Sequence, residues 1–242
     1  TAVSNDLAAM AAQLGARPER LEVAPWGVDT AVFHPPASDT MAEENPLVLS
    51  LRAIRPLYDP LTLAAAIPLV LEAVPQARFA MLTYNADPQW LTAFQDKIDV
   101  LGSTQAVDYV PPLSDDQAVA DYCRRAAVAV SIPFSDGTPK SVQEAMACGA
   151  VPVVSDLPAL RPWLQHEQEG LVVPLKDSRA LAQAIIRLLT DHALRQRLRR
   201  AGLKAIAQFA DQGVCMQRYE QLYQQLAAGQ RPQPPLLPGE DR

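Results

Sequence analysis

Apolar residues in this chain fall into six short runs with amphipathic stretches between them. The runs Leu47–Leu51, Arg78–Tyr84, Val107–Val110, 126–132, Val151–Val154 and Gly170–Val173 predict strands. The run 126–132, Ala-Ala-Val-Ala-Val-Ser-Ile, has the continuous apolar character of a strand buried on both faces. Helical spacing fills the gaps at 62–74, 88–101, 114–124 and 141–148. In 88–101, Trp90, Leu91, Phe94 and Ile98 share one face. Ser114 with Gln117 three residues on reads as a capping box opening 114–124. Three more helices are predicted at 178–189, 191–209 and 214–227, and one near the start at 4–14, followed by a short strand at 21–24. Strands alternating with helices imply parallel pairing and right-handed crossovers. The expected fold is therefore α/β: a Rossmann-like, doubly wound, six-stranded parallel sheet of order 3-2-1-4-5-6, with extra C-terminal helices.

The stretch from Ser131 to Asp156 carries the candidate chemistry. It reads as strand, tight loop, helix, strand, with Pro133, Asp136 and Gly137 as turn residues. Pro139 suits the first helical position, where its missing N–H costs nothing, and Gly149 can close the helix in the left-handed conformation. A helix opening here aims unpaired N–H groups and the positive dipole end above the strand ends, which favours an anion such as phosphate. Gly137 lets a ligand approach the backbone closely. Asp136 and Glu144 place two carboxylates where they can accept hydrogen bonds from the hydroxyls of one ligand.

Asp136-Gly-Thr-Pro-Lys-Ser-Val-Gln-Glu144-Ala-Met-Ala-Cys-Gly resembles the donor-binding motif of the family-4 retaining glycosyltransferases of the GT-B fold. In that motif two acidic residues are separated by seven, then followed by Ala-Met-Ala-x-Gly and an apolar strand. Upstream, Val23-Ala-Pro-Trp-Gly-Val-Asp-Thr-Ala-Val-Phe-His-Pro35 resembles the family's interdomain segment. The resemblance spans roughly residues 20 to 190. It implies that 1–34 ends an N-terminal, acceptor-binding half and that 35–46 links the halves. On the same grounds 47–213 is the donor-binding domain and 214–228 a helix crossing back onto the first half. The proline-bearing stretch 229–242 reads as a disordered tail.

The resemblance also implies roles. Glu144 would hold the ribose hydroxyls of a nucleoside-diphosphate sugar. Asp136 with the backbone of Gly137, Thr138, Pro139, Lys140, Ser141 and Val142 would hold sugar and diphosphate. Arg52 would neutralise the leaving diphosphate, and Val110 and Pro111 would flank the base. The catalytic set is then Asp136, Glu144 and Arg52, with no metal and no cofactor beyond the nucleotide-sugar donor. The partner would be a glycan, lipid or small-molecule acceptor bound through the other half, so this chain alone would transfer sugar slowly or not at all. Plain structural roles compete: Glu144 as a solvated helix residue, Asp136 as a turn cap, Arg52 paired with an acid such as Asp59. Two other functions are weighed, a non-catalytic scaffold of the same fold and a nucleotide-sugar epimerase.

Several positions depart from the family pattern. Asp136 stands for the usual Glu, Leu51 for the usual Gly before the arginine, and Leu57 and Tyr58 where a phosphate-binding Lys is expected. Lys140 is a candidate replacement, clamping the diphosphate with Arg52. A net charge of −6 argues against nucleic acid as the main partner. No apolar run reaches the roughly 20 residues of a membrane span. Three scattered cysteines point to buried thiols in a reducing, cytoplasmic setting. No Gly-x-Gly-x-x-Gly follows the first strand, which argues against a dehydrogenase.

Overall fold

The structure is a computed structural model that describes residues 1–37 and 46–229. The sheet contains β1 (Leu47–Ser50), β2 (Arg78–Leu82), β3 (Val107–Val110), β4 (Val128–Ser131), β5 (Val151–Ser155) and β6 (Leu171–Val173), in the order β3-β2-β1-β4-β5-β6. Every ladder is parallel. This is the predicted doubly wound topology.

The alternation of side chains along each strand divides the core into two layers. Val48, Phe79, Met81, Val128, Val130, Val151 and Val153 face one side. There they meet Ile67 of α2 (Pro60–Ala73), Phe94 of α3 (Pro88–Val100) and Leu188 of α6 (Ser178–Thr190). Leu49, Ala80, Leu82, Ala129 and Val154 face the other side. They meet Cys123 of α4 (Asp116–Arg125), Met146 of α5 (Lys140–Ala147) and Ile206 of α7 (His192–Phe209). Cys123, Cys148 and Cys215 are free and buried.

Aspartates open most of the helices by accepting from the first free amides. Asp87 caps α3, Asp177 caps α6 and Asp191 caps α7. The expected cap of α4 shifts by one residue. Asp115 accepts from the Ala118 amide at 2.9 Å, while Ser114 donates its hydroxyl to Asp115. A carboxylate is the stronger acceptor, and two capping residues side by side leave the choice to geometry. Pro139 likewise sits at the cap of α5, with helix beginning at Lys140. Of the strand expected at 21–24, an isolated parallel bridge between Ala2 and Val23 forms.

Residues 1–37 fasten onto the C-terminal helices. α1 (Asn5–Gln13) begins at the Ser4 cap. Val28 donates to the Ala210 carbonyl and accepts from Gln212, the first residue of α8 (Gln212–Ala227). Arg218 pairs with Glu22 at 2.7 Å, and the Tyr219 hydroxyl donates to the Ala24 carbonyl. The expected linker is described only at its ends, since 38–45 lie outside the described residues, as does the expected tail beyond Gly229.

Gly27 makes that attachment possible. Its φ is +74°, and a Cβ there would stand 2.8 Å from the Gln212 Cα. Gly27→Ala is expected to cost about 2 kcal/mol, lowering Tm by about 5 °C. A thermal melt that superimposes on the parent would show that this contact yields freely.

Candidate functional site

The sheet order reverses between β1 and β4, which pair directly through Val48 with Val128 and Leu49 with Ala129. Their carboxyl ends therefore open side by side, the place where parallel sheets of this kind form a crevice. The chain leaving β1 carries Arg52, and the chain leaving β4 carries the loop from Ile132 to Pro139.

Arg52 joins the two. Its Nη2 donates to Asp136 Oδ2 at 2.6 Å and its Nη1 to Ser141 Oγ at 3.1 Å. Both members of the ion pair are largely buried, with side chains 15% and 12% exposed. The guanidinium lies against the Tyr58 ring, 4.1 Å from its centre. With Ser50, Tyr58 and Ile132, Arg52 lines a cavity of about 10 Å³. Its Nε is buried and has no hydrogen-bond partner among the described residues. Asp59 accepts instead from the Thr62 hydroxyl at 2.7 Å.

α5 begins on the same crevice. The amides of Val142 and Gln143 both turn to the Pro139 carbonyl. Those of Gly137, Thr138, Lys140 and Ser141 have no acceptor among the described residues. They form the set of donors that an anion at a helix start can take. Val142 itself points into the core, 2% exposed.

Glu144 sits one turn into the helix and is largely buried. Burial pushes its carboxyl above the ordinary range, the nearby Lys140 ammonium pulls it back, and Asp116 adds an upward push. Lys140 Nζ lies 3.3 Å from Glu144 Oε1, with half of its side chain exposed. Arg52, Asp136, Ser141, Lys140 and Glu144 thus share one helix end. Val110 is core, and its carbonyl accepts both the amide and the hydroxyl of Thr83 at 2.9 Å. Pro111 is exposed at the same edge.

Two features escape the sequence. The Tyr58 ring braces Arg52, a contact that no periodicity signals. The N-terminal segment also lies against the loop. Thr138 donates its hydroxyl to the Val3 carbonyl at 2.7 Å, and a Cβ on Gly137 would stand 2.6 Å from Leu7 Cδ1. Behind it an apolar cavity of about 80 Å³ is lined by Val3, Pro25, Gln143, Trp163 and Phe209. Among the described residues no cluster of three or more His, Cys, Asp or Glu could hold a metal ion, and no helix is long and apolar enough to cross a membrane.

The family model for "Glycosyl transferases group 1" matches residues 47–191, more than half of the chain. The chain belongs to that family. A D-inositol 3-phosphate glycosyltransferase from Jonesia denitrificans is 27% identical over 208 residues, 80% of this chain and 49% of its own length. The chain spans about half the length of the curated relatives it matches. Among solved structures, a sucrose-phosphate synthase from Thermosynechococcus elongatus superimposes with a TM-score of 0.83 at 25% identity, covering 94% of this chain and 58% of that one. HepE of Anabaena in complex with UDP-glucose shares the fold, with a TM-score of 0.80 at 16% identity over 94% and 63%.

The raised Glu144 carboxyl has a definite consequence for stability. Between the ordinary value of 4.5 and the raised folded value, the folded chain holds a proton that the unfolded chain has released. Stability therefore falls as pH rises through that window, and the cost is complete above it. Glu144→Gln is expected to raise the Tm of the ligand-free protein at about pH 7, with the gain vanishing near pH 4. Equal shifts at both pH values would rule out a burdened carboxylate.

Proposed function

We propose that this chain is the donor-binding part of a retaining glycosyltransferase that moves a sugar from a nucleoside-diphosphate sugar to an acceptor hydroxyl. The observation that carries the reading is the convergence of Arg52, Asp136, Ser141, Lys140 and Glu144 on the unpaired amides that open α5. A diphosphate there meets a guanidinium, an ammonium and backbone N–H groups, the combination that stabilises the charge developing on a leaving phosphate. No metal is required for that task in this reading. Glu144, one turn further, accepts from the ribose hydroxyls. Asp136 accepts from hydroxyls of the sugar. Retention at the anomeric carbon, with the leaving phosphate or a group from another part of the protein as base, follows from the family resemblance. The UDP-glucose bound by HepE supports a uridine nucleotide as the first probe.

A non-catalytic scaffold is the competing reading, favoured by Tyr58 in the place of a phosphate-binding lysine. A thermal-shift and calorimetric screen against UDP, GDP and ADP separates the two. Donor binding stabilises the native state by about 2.7 kcal/mol at a ligand concentration of ~100 Kd. Arg52→Ala is expected to weaken the bound nucleotide roughly 10- to 100-fold, and Lys140→Ala by less, because each removes a charged hydrogen-bond donor. A chain whose melting point ignores all three nucleotides is a scaffold.

A further inference from the structure

Arg52 is already occupied. Nη2 donates a hydrogen bond to Asp136 Oδ2 at 2.6 Å and Nη1 donates one to the Ser141 hydroxyl at 3.1 Å, so both terminal nitrogens are engaged before any ligand arrives. The tie to Asp136 is charge-assisted and largely shielded from water, the kind that is costly to break without replacement. The opposite pressure comes from Tyr58. Its ring holds the guanidinium carbon 4.1 Å from the ring centre, a contact that does not depend on which acceptor the terminal nitrogens serve, so Arg52 can change partners without changing place.

We propose that Asp136 acts as an internal competitor for the diphosphate, an inference that rests on the donor-binding reading above. With the crevice empty it neutralises Arg52. When a nucleoside-diphosphate sugar enters, phosphate oxygens take over Arg52, and the released Asp136 carboxylate accepts from hydroxyls of the sugar. Both ends of the broken pair are then satisfied. A nucleoside diphosphate without its sugar breaks the same pair and leaves Asp136 with no new donor. The site therefore favours the intact donor over the spent nucleotide. Once the sugar has left, Asp136 returns to Arg52 and helps to expel the product. Asp136 is in this sense a specificity-determining residue, set by the competition between one carboxylate and one diphosphate for a single guanidinium.

The test is isothermal titration calorimetry of the 242-residue chain with UDP, GDP and ADP. The parent is compared with Asp136→Asn, Asp136→Ala and Asp116→Asn, folding being checked by circular dichroism. Asp116 is an exposed carboxylate whose charge reaches Glu144, yet Arg52 makes no bond to it. The nucleotide that the parent binds best should bind to Asp136→Asn roughly tenfold tighter, the worth of one charge-assisted hydrogen bond no longer broken. Asp136→Ala should move in the same direction, so either variant suffices if the other fails to fold. Asp116→Asn should leave the affinity within about twofold of the parent. An unchanged affinity in the Asp136 variants overturns the exchange and leaves the donor-binding reading intact. An equal gain from Asp116→Asn overturns it too, since simple removal of negative charge would then account for the effect. Failure of the parent and every variant to bind any of the three nucleotides defeats the donor-binding reading itself, and the exchange with it.

Discussion

The reversal of strand order between β1 and β4 is the constraint on which the site depends. Chains leaving a parallel sheet on one side of such a point wind to one face, and chains on the other side wind to the opposite face. The two loops nearest the reversal diverge and leave a crevice between them. Arg52 stands in one of these loops and Asp136 in the other, 84 positions apart in sequence yet 2.6 Å apart in space. The core residues Val48, Leu49, Val128 and Ala129 enforce this meeting by pairing the two strands in register. A slip of one residue would exchange the two faces of a strand, setting side chains shaped for one core layer into the other, so the packing that fixes the sheet also fixes the site.

The crevice holds its polar groups at a cost to stability. Glu144 is desolvated at the end of a helix that otherwise buries Val142, Ala145 and Met146, and its carboxyl is pushed upward in consequence. The buried Arg52 Nε lacks a partner among the described residues. Neither arrangement stabilises the ligand-free fold. The two apolar layers on the sheet supply the stability against which such groups can be kept. The N-terminal segment adds a second restraint by holding Thr138 and pressing Leu7 against Gly137.

Much of this was legible in the order of residues, for physical reasons. Parallel strands covered on both faces must be continuously apolar, so the six runs could be read directly and their order followed from the alternation of strands with helices. The loop and helix from Asp136 to Cys148 carry their own turn and termination signals, which made that segment readable in isolation. What remained hidden was tertiary. Ser114 and Asp115 both suit a helix cap, and only their orientation settles between them. The strand expected at 21–24 needed a partner, and the pairing that forms is a single bridge. Tyr58 and Leu7 reach the site by packing, which leaves no spacing to detect.

The departures from the family pattern then acquire a common sense. With Tyr58 in place of a lysine, one cation is absent, and the two that remain in the site are both neutralised, Arg52 by Asp136 and Lys140 by Glu144. Among these four side chains the net charge is zero, so the empty crevice carries little standing attraction for anions beyond its helix dipole. Binding must then come from rearrangement. A ligand gains most if it offers phosphate oxygens to the cations and, in the same pose, hydroxyls to the carboxylates it displaces. An inorganic anion meets the first condition and fails the second, leaving two carboxylates unpaired beside a new negative charge. A nucleotide sugar meets both conditions along its length. In the exchange proposed for Asp136, selectivity for such a ligand arises from the pairing of opposite charges before it arrives, with Tyr58 holding one of them in place.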